Sequence, residues 1–205
     1  MRAPAAAVLA VPGVALGVAG LLHPMHLSYA TSQRWWLLHV PGLLVFPLVG
    51  VALMMLFRGR RDPVAVLAVL AAFGYATAYT TLDVVDGIAA GYVTHRLGPG
   101  VPRPDEVRYL FDLGRPFGEW GSWALVLASV LVVGDALWRH RLRALPALLM
   151  VPGAFLVHDF HIFAPEGAAG MVLVGSSTAW VAHVSAGAAA QNSRSSGESM
   201  PRRAS

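Results

Sequence analysis

The chain of 205 residues contains no cysteine. Without a thiol it has no disulfide, no thiolate metal site, no iron–sulfur cluster, no covalent c-type haem and no cysteine nucleophile. Any metal would have to be held by imidazole, carboxylate or backbone oxygen. Lysine is absent as well, so the net charge of +4 comes entirely from arginine.

Charge of either sign is scarce. Only 13% of the residues are charged and 56% are hydrophobic, with a mean hydropathy of +0.59. A soluble domain carries about 25% charged residues, so this composition predicts a membrane protein. The arginines lie in short loops and a tail beside apolar stretches, which is typical of cytoplasmic anchoring and does not indicate nucleic-acid binding. Phosphate-binding loops, dinucleotide fingerprints and serine-nucleophile motifs are absent from the sequence.

Six apolar stretches are each long enough for a membrane crossing, which takes about 20 residues. They cover residues 3–22, 35–57, 64–92, 116–138, 145–163 and 167–190. The predicted fold is therefore all-α, a polytopic bundle of six transmembrane helices kinked by Pro and Gly. Residues 1–190 form this single domain, and the Ser- and Arg-rich segment 191–205 is predicted to be a disordered cytoplasmic tail.

The arginines predict how the bundle is oriented. Six crossings place ten of them on one side: Arg2, Arg58, Arg60, Arg61, Arg139, Arg141, Arg143, Arg194, Arg202 and Arg203. The positive-inside rule makes that side the cytoplasm and puts both termini there. We expect a multi-pass protein of a bacterial inner membrane. In the outer loop, Asp105 to Leu113 is expected to form a short interfacial helix with Asp105 as its N-cap.

Eight titratable side chains fall near the outer ends of the predicted helices. They are His23, His39, Asp83, Asp86, Glu119, His158, Asp159 and His161. Charged groups are costly in hydrocarbon and usually face a bundle interior, a water-filled cavity or one another. At about 1.5 Å per residue, His158 lies about 20 Å above the inner end of its helix, and Asp83 lies about 28 Å above the inner end of its own. This one-sided cluster predicts a site at the outer leaflet.

Depth separates two groups within the cluster. Residues at a helix end also reach headgroups or water by snorkelling, and three members are shallow enough for that interpretation. Those three are His23, His39 and Glu119. The four members that depth explains least are Asp83, Asp86, His158 and His161.

Spacing suggests roles for these side chains. Asp83 and Asp86 are three residues apart, as are His158 and His161, so each pair is predicted to share a helix face. Imidazole and carboxylate suit Zn or Fe. The predicted metal ligands are His39, His158, His161 and Asp83. The predicted catalytic groups are Asp83, Asp86 and Asp159, where Asp159 would orient a ligand or act as a general base.

Two alternatives to a metal enzyme fit the same residues. One binds haem, and the other needs no cofactor. In one, His39 and His158 are the axial ligands of a b-type haem. In the other, a small proton-coupled transporter relays protons through Asp83, Asp86 and His158. The transport alternative is based on a sequence similarity: Leu-Leu-His-Val-Pro-Gly at 37–42 resembles Leu-Leu-Met-Val-Pro-Gly at 148–153. The two stretches are predicted to cross the membrane in opposite directions, as an inverted repeat requires.

The leading prediction is a membrane-embedded enzyme. Its metal or cofactor site would act on a lipophilic or periplasmic substrate, so the expected partners are the lipid bilayer and a lipophilic small molecule. A non-catalytic accessory subunit, in which the polar side chains serve only helix packing, is a further alternative.

Overall fold

The computed structural model describes residues 3–198, and this part of the chain is helical without β-strands. Its α-helices are α1 (Ala3–Val8), α2 (Val11–Leu22), α3 (Tyr29–Met55), α4 (Pro63–Leu82), α5 (Ala90–Leu97), α6 (Asp105–His140), α7 (Met150–Phe160) and α8 (Glu166–Glu198). A π-helical segment, Asp83–Ala89, joins α4 to α5, and a 3₁₀ segment, Arg141–Leu149, joins α6 to α7. The all-helical prediction is confirmed for the described residues.

Four helical stretches within residues 3–198 are long and apolar enough to cross a membrane. They are Tyr29–Met55, Pro63–Leu97, Asp105–Phe160 and Glu166–Ala188, and a shorter apolar helix covers Ala6–Leu22. The third stretch reverses direction at Arg141, which has a φ of 53°. Ser122 and His158 lie at similar sequence distances on either side of Arg141 and are hydrogen-bonded, so α6 and α7 form an antiparallel pair. These lengths agree with a helical membrane protein.

Six helices form a closed ring in the order α2, α3, α4, α6, α7 and α8, with α8 packing back on α2. Close contacts through glycine show that neighbours run antiparallel. Gly50 of α3 lies against Ala72 of α4, whereas Gly42, earlier in α3, lies against Asp83, later in the chain. Small residues let helix backbones approach closely without a side chain between them.

Large apolar side chains fill the inside of the ring, and others cover its outside. The fully buried ones include Phe46, Leu53, Tyr75, Leu125, Met150, Met171 and Val174. Exposed aliphatic and aromatic side chains such as Leu44, Leu70 and Trp138 lie on the outer surface. A surface of this kind is what a bilayer would cover.

Charged groups meet at the end of the ring where α3 passes into α4. Arg60 donates two hydrogen bonds to Asp135 of α6, at 2.6 and 2.8 Å, and two more to Asp62, at 2.9 and 3.0 Å. Arg139 donates to the same Asp135 at 2.9 Å. The hydrogen bonds from Arg60 lower the pKa of Asp62 to about 2. Asp62 also caps α4 by accepting from the Ala65 amide at 3.2 Å.

Several helices extend beyond the predicted boundaries, α6 and α8 the furthest. α6 begins at Asp105 with Pro104 as its N-cap, so the predicted interfacial helix is continuous with the fourth apolar stretch. Pro116 lies inside α6 and removes one backbone hydrogen bond, which a long helix tolerates where neighbours pack on it. α8 continues to Glu198, so residues 191–198 of the predicted disordered tail are helical, in line with the alanine-rich sequence before them. Residues 199–205 of that tail, and Arg2, lie outside the described residues.

Candidate functional site

A cavity of about 640 Å³ opens at the end of the ring opposite the Arg60–Asp135 ion pair. Seven of the eight clustered titratable residues line it: His23, His39, Asp83, Asp86, Glu119, His158 and His161. Ligand sites commonly occupy about 300–1,000 Å³, so this volume suits a small molecule. Asp159 is exposed and does not line the cavity. It is therefore not part of this site, although it lies one residue from His158.

Glycines on neighbouring segments leave space for five side chains of the site. A Cβ atom on Gly42 would lie 2.7 Å from the Asp83 carboxylate, and one on Gly121 would lie 2.6 Å from the Tyr79 ring. An added Cβ atom would also come too close to Trp35 at Gly91, to His39 at Gly87 and to Asp86 at Gly114. We call these five glycines the glycine seats. At each of them an added Cβ atom would force the partner side chain or the helix to move.

Asp83 and Asp86 belong to the π segment, Asp83–Ala89. A π turn has more residues than an α turn, so positions three apart do not lie above one another. Asp83 packs towards Gly42 of α3, whereas Asp86 packs towards Gly114 of α6. The prediction that these carboxylates share one helix face is therefore wrong, although both reach the cavity. Single-turn π segments inside α-helices occur frequently at functional sites.

Asp83 is the most unusual group in the cavity wall. Its side chain is buried, with 2% of the residue exposed, and within the described part of the chain neither carboxylate oxygen has a hydrogen-bond partner. Asp86 Oδ1 is likewise buried and unpartnered there. A buried carboxylate without a partner costs several kcal/mol in a typical protein, on the order of its lost hydration. Such a group calls for a ligand, a proton or a cation beside it.

His23 and His39 form a buried pair whose nitrogens can be assigned. Each Nδ1 lies 2.7 Å from a backbone carbonyl, that of Pro24 for His23 and that of Trp35 for His39. A carbonyl only accepts, so both Nδ1 atoms carry hydrogen and both neutral rings present Nε2 as an acceptor. The two Nε2 atoms lie 3.4 Å apart. Burial, and secondarily the closeness of His39, lowers the pKa of His23 to about 4, which keeps it neutral near pH 7.

This pair changes the interpretation of two shallow histidines. Depth alone made His23 and His39 candidates for snorkelling side chains, but both are buried, at 8% and 5% exposure. Trp35 and Phe163 pack around His23 with ring centroids at 4.6 and 4.8 Å. Glu119 is exposed and accepts from the Trp123 indole N–H at 2.9 Å, as an interfacial residue would.

His158 and His161 reach the cavity from different directions. α7 ends at Phe160, and His161 takes a left-handed conformation with a φ of 53°. The pair therefore does not share a helix face, contrary to the prediction. His158 Nδ1 lies 2.8 Å from Ser122 Oγ, and His161 Nδ1 lies 3.4 Å from the Tyr79 hydroxyl.

The Ser122 bond also fixes the hydrogen on His158. The Ser122 hydroxyl donates to the Glu119 carbonyl at 2.9 Å, so its oxygen accepts from His158 Nδ1–H. The other ring nitrogen of His158, Nε2, is then an acceptor in the neutral ring. Sequence reasoning had no signal for Ser122, because a single serine in an apolar helix usually bonds its own backbone.

The predicted metal ligands, His39, His158, His161 and Asp83, do not form one cluster among the described residues. Metal ligands must each lie about 2.0–2.2 Å from the ion. Among residues 3–198, no three His, Asp or Glu side chains are placed to hold one. Within that part of the chain, His158 and His161 are hydrogen-bonded through Nδ1 only. His39 Nε2 faces His23 Nε2 at 3.4 Å, whereas a haem held by His39 and His158 would require it to face His158. We derive no chemical step from a metal or a haem.

Exposed charges surround the mouth of the cavity. Arg108 pairs with Asp105 at 3.1 Å, and Arg115 pairs with Asp112 at 3.5 Å. Arg103 donates to the Leu27 carbonyl, and its guanidinium lies 5.6 Å from the centre of the Phe111 ring. From sequence, these outer arginines contributed only to the topology. Their position at the mouth depends on the first turns of α6, which carry Arg108 and Arg115, and on the preceding loop, which carries Arg103.

No family model, no curated protein and no solved structure matches the chain. The features that bear on function are the cavity, the unpartnered Asp83 carboxylate and the assigned histidine nitrogens.

Proposed function

We propose that this protein is an enzyme of a bacterial inner membrane that carries out acid–base chemistry on a lipophilic molecule bound in the outer cavity. The observation that carries the proposal is the Asp83 carboxylate, which is buried in the cavity wall with both oxygens unpartnered among the described residues. Placing such a group there destabilises the fold, and ligand binding or proton transfer is the usual reason for retaining one.

The proposed orientation has six crossings with both termini in the cytoplasm. The closed ring supports an even number of crossings, because the contacts between consecutive members show that they run antiparallel. Arg60 and Arg139 both bond Asp135 at one end of the ring. The positive-inside rule assigns this arginine-rich end to the cytoplasm. The cavity at the opposite end then faces the outer leaflet and the periplasm.

Three side chains would act on the substrate. Asp83 and Asp86 offer unpartnered carboxylate oxygens, and His158 offers an Nε2 acceptor on a ring held by Ser122. A general base must lie within hydrogen-bond reach of the proton that it removes, and these groups line the same cavity. Asp83 is the proposed base, with His158 exchanging protons on the other side of the substrate.

The direct test uses the purified protein in vesicles with an extract of lipids and small apolar metabolites from the source cells. We expect the wild-type protein to convert at least one component, as detected by mass spectrometry. Asp83→Asn should lower that rate by about 100-fold or more, since a general base contributes about 10²–10⁴-fold. Asp159→Asn is the matched control, because this exposed carboxylate lies outside the cavity.

Thermal unfolding separates a lost reaction from a lost fold. Asp83→Asn removes an unpaired buried carboxylate, so it should unfold at the same temperature as the wild type or at a higher one. The proposal is contradicted if no component of the extract changes with wild-type protein, or if Asp83→Asn converts it as fast as Asp159→Asn does.

Proton-coupled transport is less well supported by the same geometry. A transporter needs a path to the other end of the ring, where a separate cavity of about 200 Å³ is lined by Arg60 and Asp135. Tyr75, Leu125 and Met150 are fully buried and fill the ring between the two cavities. This arrangement favours a site that is reached from one side.

A further inference from the structure

We propose that the substrate is an amphiphile with one apolar chain and a hydrogen-bond-donating head group, with the chain lying in a side cavity between α2 and α3. This inference rests on the proposed function, because it places the head group at the Asp83 wall. It adds the chemical class of the substrate and the side from which the substrate enters.

The side cavity has a volume of about 200 Å³. Its apolar lining comes mainly from two helices: Ala15, Leu16 and Ala19 of α2, and Leu38, Pro41, Gly42, Val45 and Phe46 of α3, together with Ile162. The remaining lining residues are His23, His39 and Asp83, which also line the main cavity. The two cavities therefore adjoin at these three side chains, with the apolar side cavity on one side of them and the other titratable side chains of the main cavity on the other.

The side cavity lies next to the lipid-facing surface of the ring. Ala15 and Pro41 are exposed, and the neighbouring Val18 and Val40 are exposed by 53% and 44%. Ala15 is seven residues before Leu22, so the cavity extends about 10 Å from the outer end of α2 into the proposed hydrocarbon layer. An apolar chain from the outer leaflet fits this position, since it remains in an apolar environment throughout.

The shared wall presents acceptors to the head group. Both Nε2 atoms of His23 and His39 are acceptors in the neutral rings, and the two oxygens of Asp83 have no partner among residues 3–198. The two lone pairs face each other at 3.4 Å, so one hydrogen donated from beside the pair can be shared by both. A hydroxyl or ammonium group supplies that hydrogen, whereas an ether oxygen only accepts.

Photo-crosslinking tests both halves of the proposal. The probes are three sixteen-carbon chains that carry a diazirine in mid-chain and end in an alcohol, an amine or a methyl ether. With wild-type protein in phosphatidylcholine vesicles, the alcohol or the amine should label the α2 and α3 residues of the side cavity. The ether should label them about tenfold less, because it cannot donate to the buried acceptors. Stronger labelling by the amine identifies a cationic head group, and stronger labelling by the alcohol a neutral one.

Two matched pairs of variants test where the chain lies. Ala19→Phe and Leu38→Phe fill the side cavity, and each should remove the labelling. Val18→Phe and Leu37→Phe place the same ring on the exposed side of the same helices and should leave it unchanged. Thermal unfolding of all four variants shows which are folded, and using one pair on each helix keeps the test valid if one variant does not fold.

The outcomes distinguish this inference from the proposed function. Equal labelling by the ether, or labelling that persists in both folded cavity-filling variants, overturns the substrate class. In that case, loss of lipid conversion in Asp83→Asn would still support the enzyme. If labelling behaves as expected but no lipid is converted, the binding site stands and the enzyme does not.

Discussion

At the scale of single residues, the site depends on glycine as much as on histidine and aspartate. Asp83 packs where α3 has only Gly42, and His39 packs where the π segment has only Gly87. Close packing in protein interiors leaves no space for an added methyl group unless its neighbour moves. The glycine seats therefore position the polar groups by leaving space for their side chains.

Gly42→Ala tests this positioning role. The added methyl group would lie 2.7 Å from Asp83 Oδ1, so the carboxylate must move. We expect a loss of stability of about 1–3 kcal/mol, typical of overpacking, together with weaker labelling by the alcohol or amine probe. Thermal or denaturant unfolding in detergent measures the first effect, and crosslinking yield measures the second.

Gly134→Ala is the control for that substitution. Gly134 lies in α6 with nothing within 4 Å of an added Cβ atom. Alanine favours helix over glycine by up to about 1 kcal/mol, so this variant should be as stable as the wild type or more stable. If Gly42→Ala behaved like Gly134→Ala in both measurements, the role assigned to the glycine seats would be wrong.

At the scale of helices, departures from regular α-helix decide which side chains meet. The π segment directs Asp83 and Asp86 to different neighbours, and the left-handed conformation at His161 takes that residue off the face of α7. Spacing of three residues predicted two side-chain pairs, each on one face. In the structure all four side chains line one cavity, but the members of each pair have different neighbours.

The contacts at the N-terminal end of α4 predict how the stability of the protein depends on pH. Arg60 lowers the pKa of Asp62 to about 2, below its ordinary value of 3.8. Because the unfolded chain binds the proton first, the stability from this contact is complete above the ordinary pKa and is lost as the pH falls towards 2. The wild-type unfolding temperature should therefore fall more between pH 6 and pH 3 than that of Asp62→Asn.

Asp159→Asn serves as the control for this pH series, since Asp159 is exposed and has no hydrogen bond or ion pair in the described structure. Its unfolding temperature should follow the wild-type curve. Identical curves for wild type and Asp62→Asn would mean that the Arg60 contact does not stabilise the start of α4.

At the scale of the whole molecule, the ring separates two polar ends by an apolar middle. One end holds the Arg60–Asp135–Arg139 group, and the other holds the cavity with its ion-paired mouth. An apolar exterior between two polar ends is the arrangement that a bilayer requires. The orientation of the ring in that bilayer decides which side of the membrane the cavity faces.

Single cysteines can test this orientation, because the chain has none of its own. Met25→Cys and Val101→Cys lie near the cavity end, and Arg61→Cys and Leu142→Cys lie near the opposite end, all at exposed positions. In cells with a permeabilised outer membrane, an impermeant maleimide should label the first two. The second two should react only after the inner membrane is disrupted.

Two kinds of result would contradict the proposed topology. Labelling of Arg61→Cys but not Val101→Cys in intact cells would reverse the orientation. Different results for Met25→Cys and Val101→Cys would change the number of crossings, since six crossings place both on one side.

Composition and the positions of the charges were enough to predict the fold class and the height of the titratable groups. Scarce charge and six long apolar stretches predict helices in a membrane, because backbone polar groups there must be satisfied within each segment. Counting residues along each helix also predicted which titratable groups lie at one height, since the helical rise is constant. Seven of those eight line one cavity.

Only the tertiary structure decided which of these groups meet and how. The His23–His39 pair, the Ser122–His158 bond and the exposed position of Asp159 depend on packing between helices that are distant in sequence. In the π segment and at His161 the side chains do not follow the regular α-helical period on which the sequence prediction was based. The sequence thus determined the height of the polar groups, while packing and backbone irregularities determined their partners.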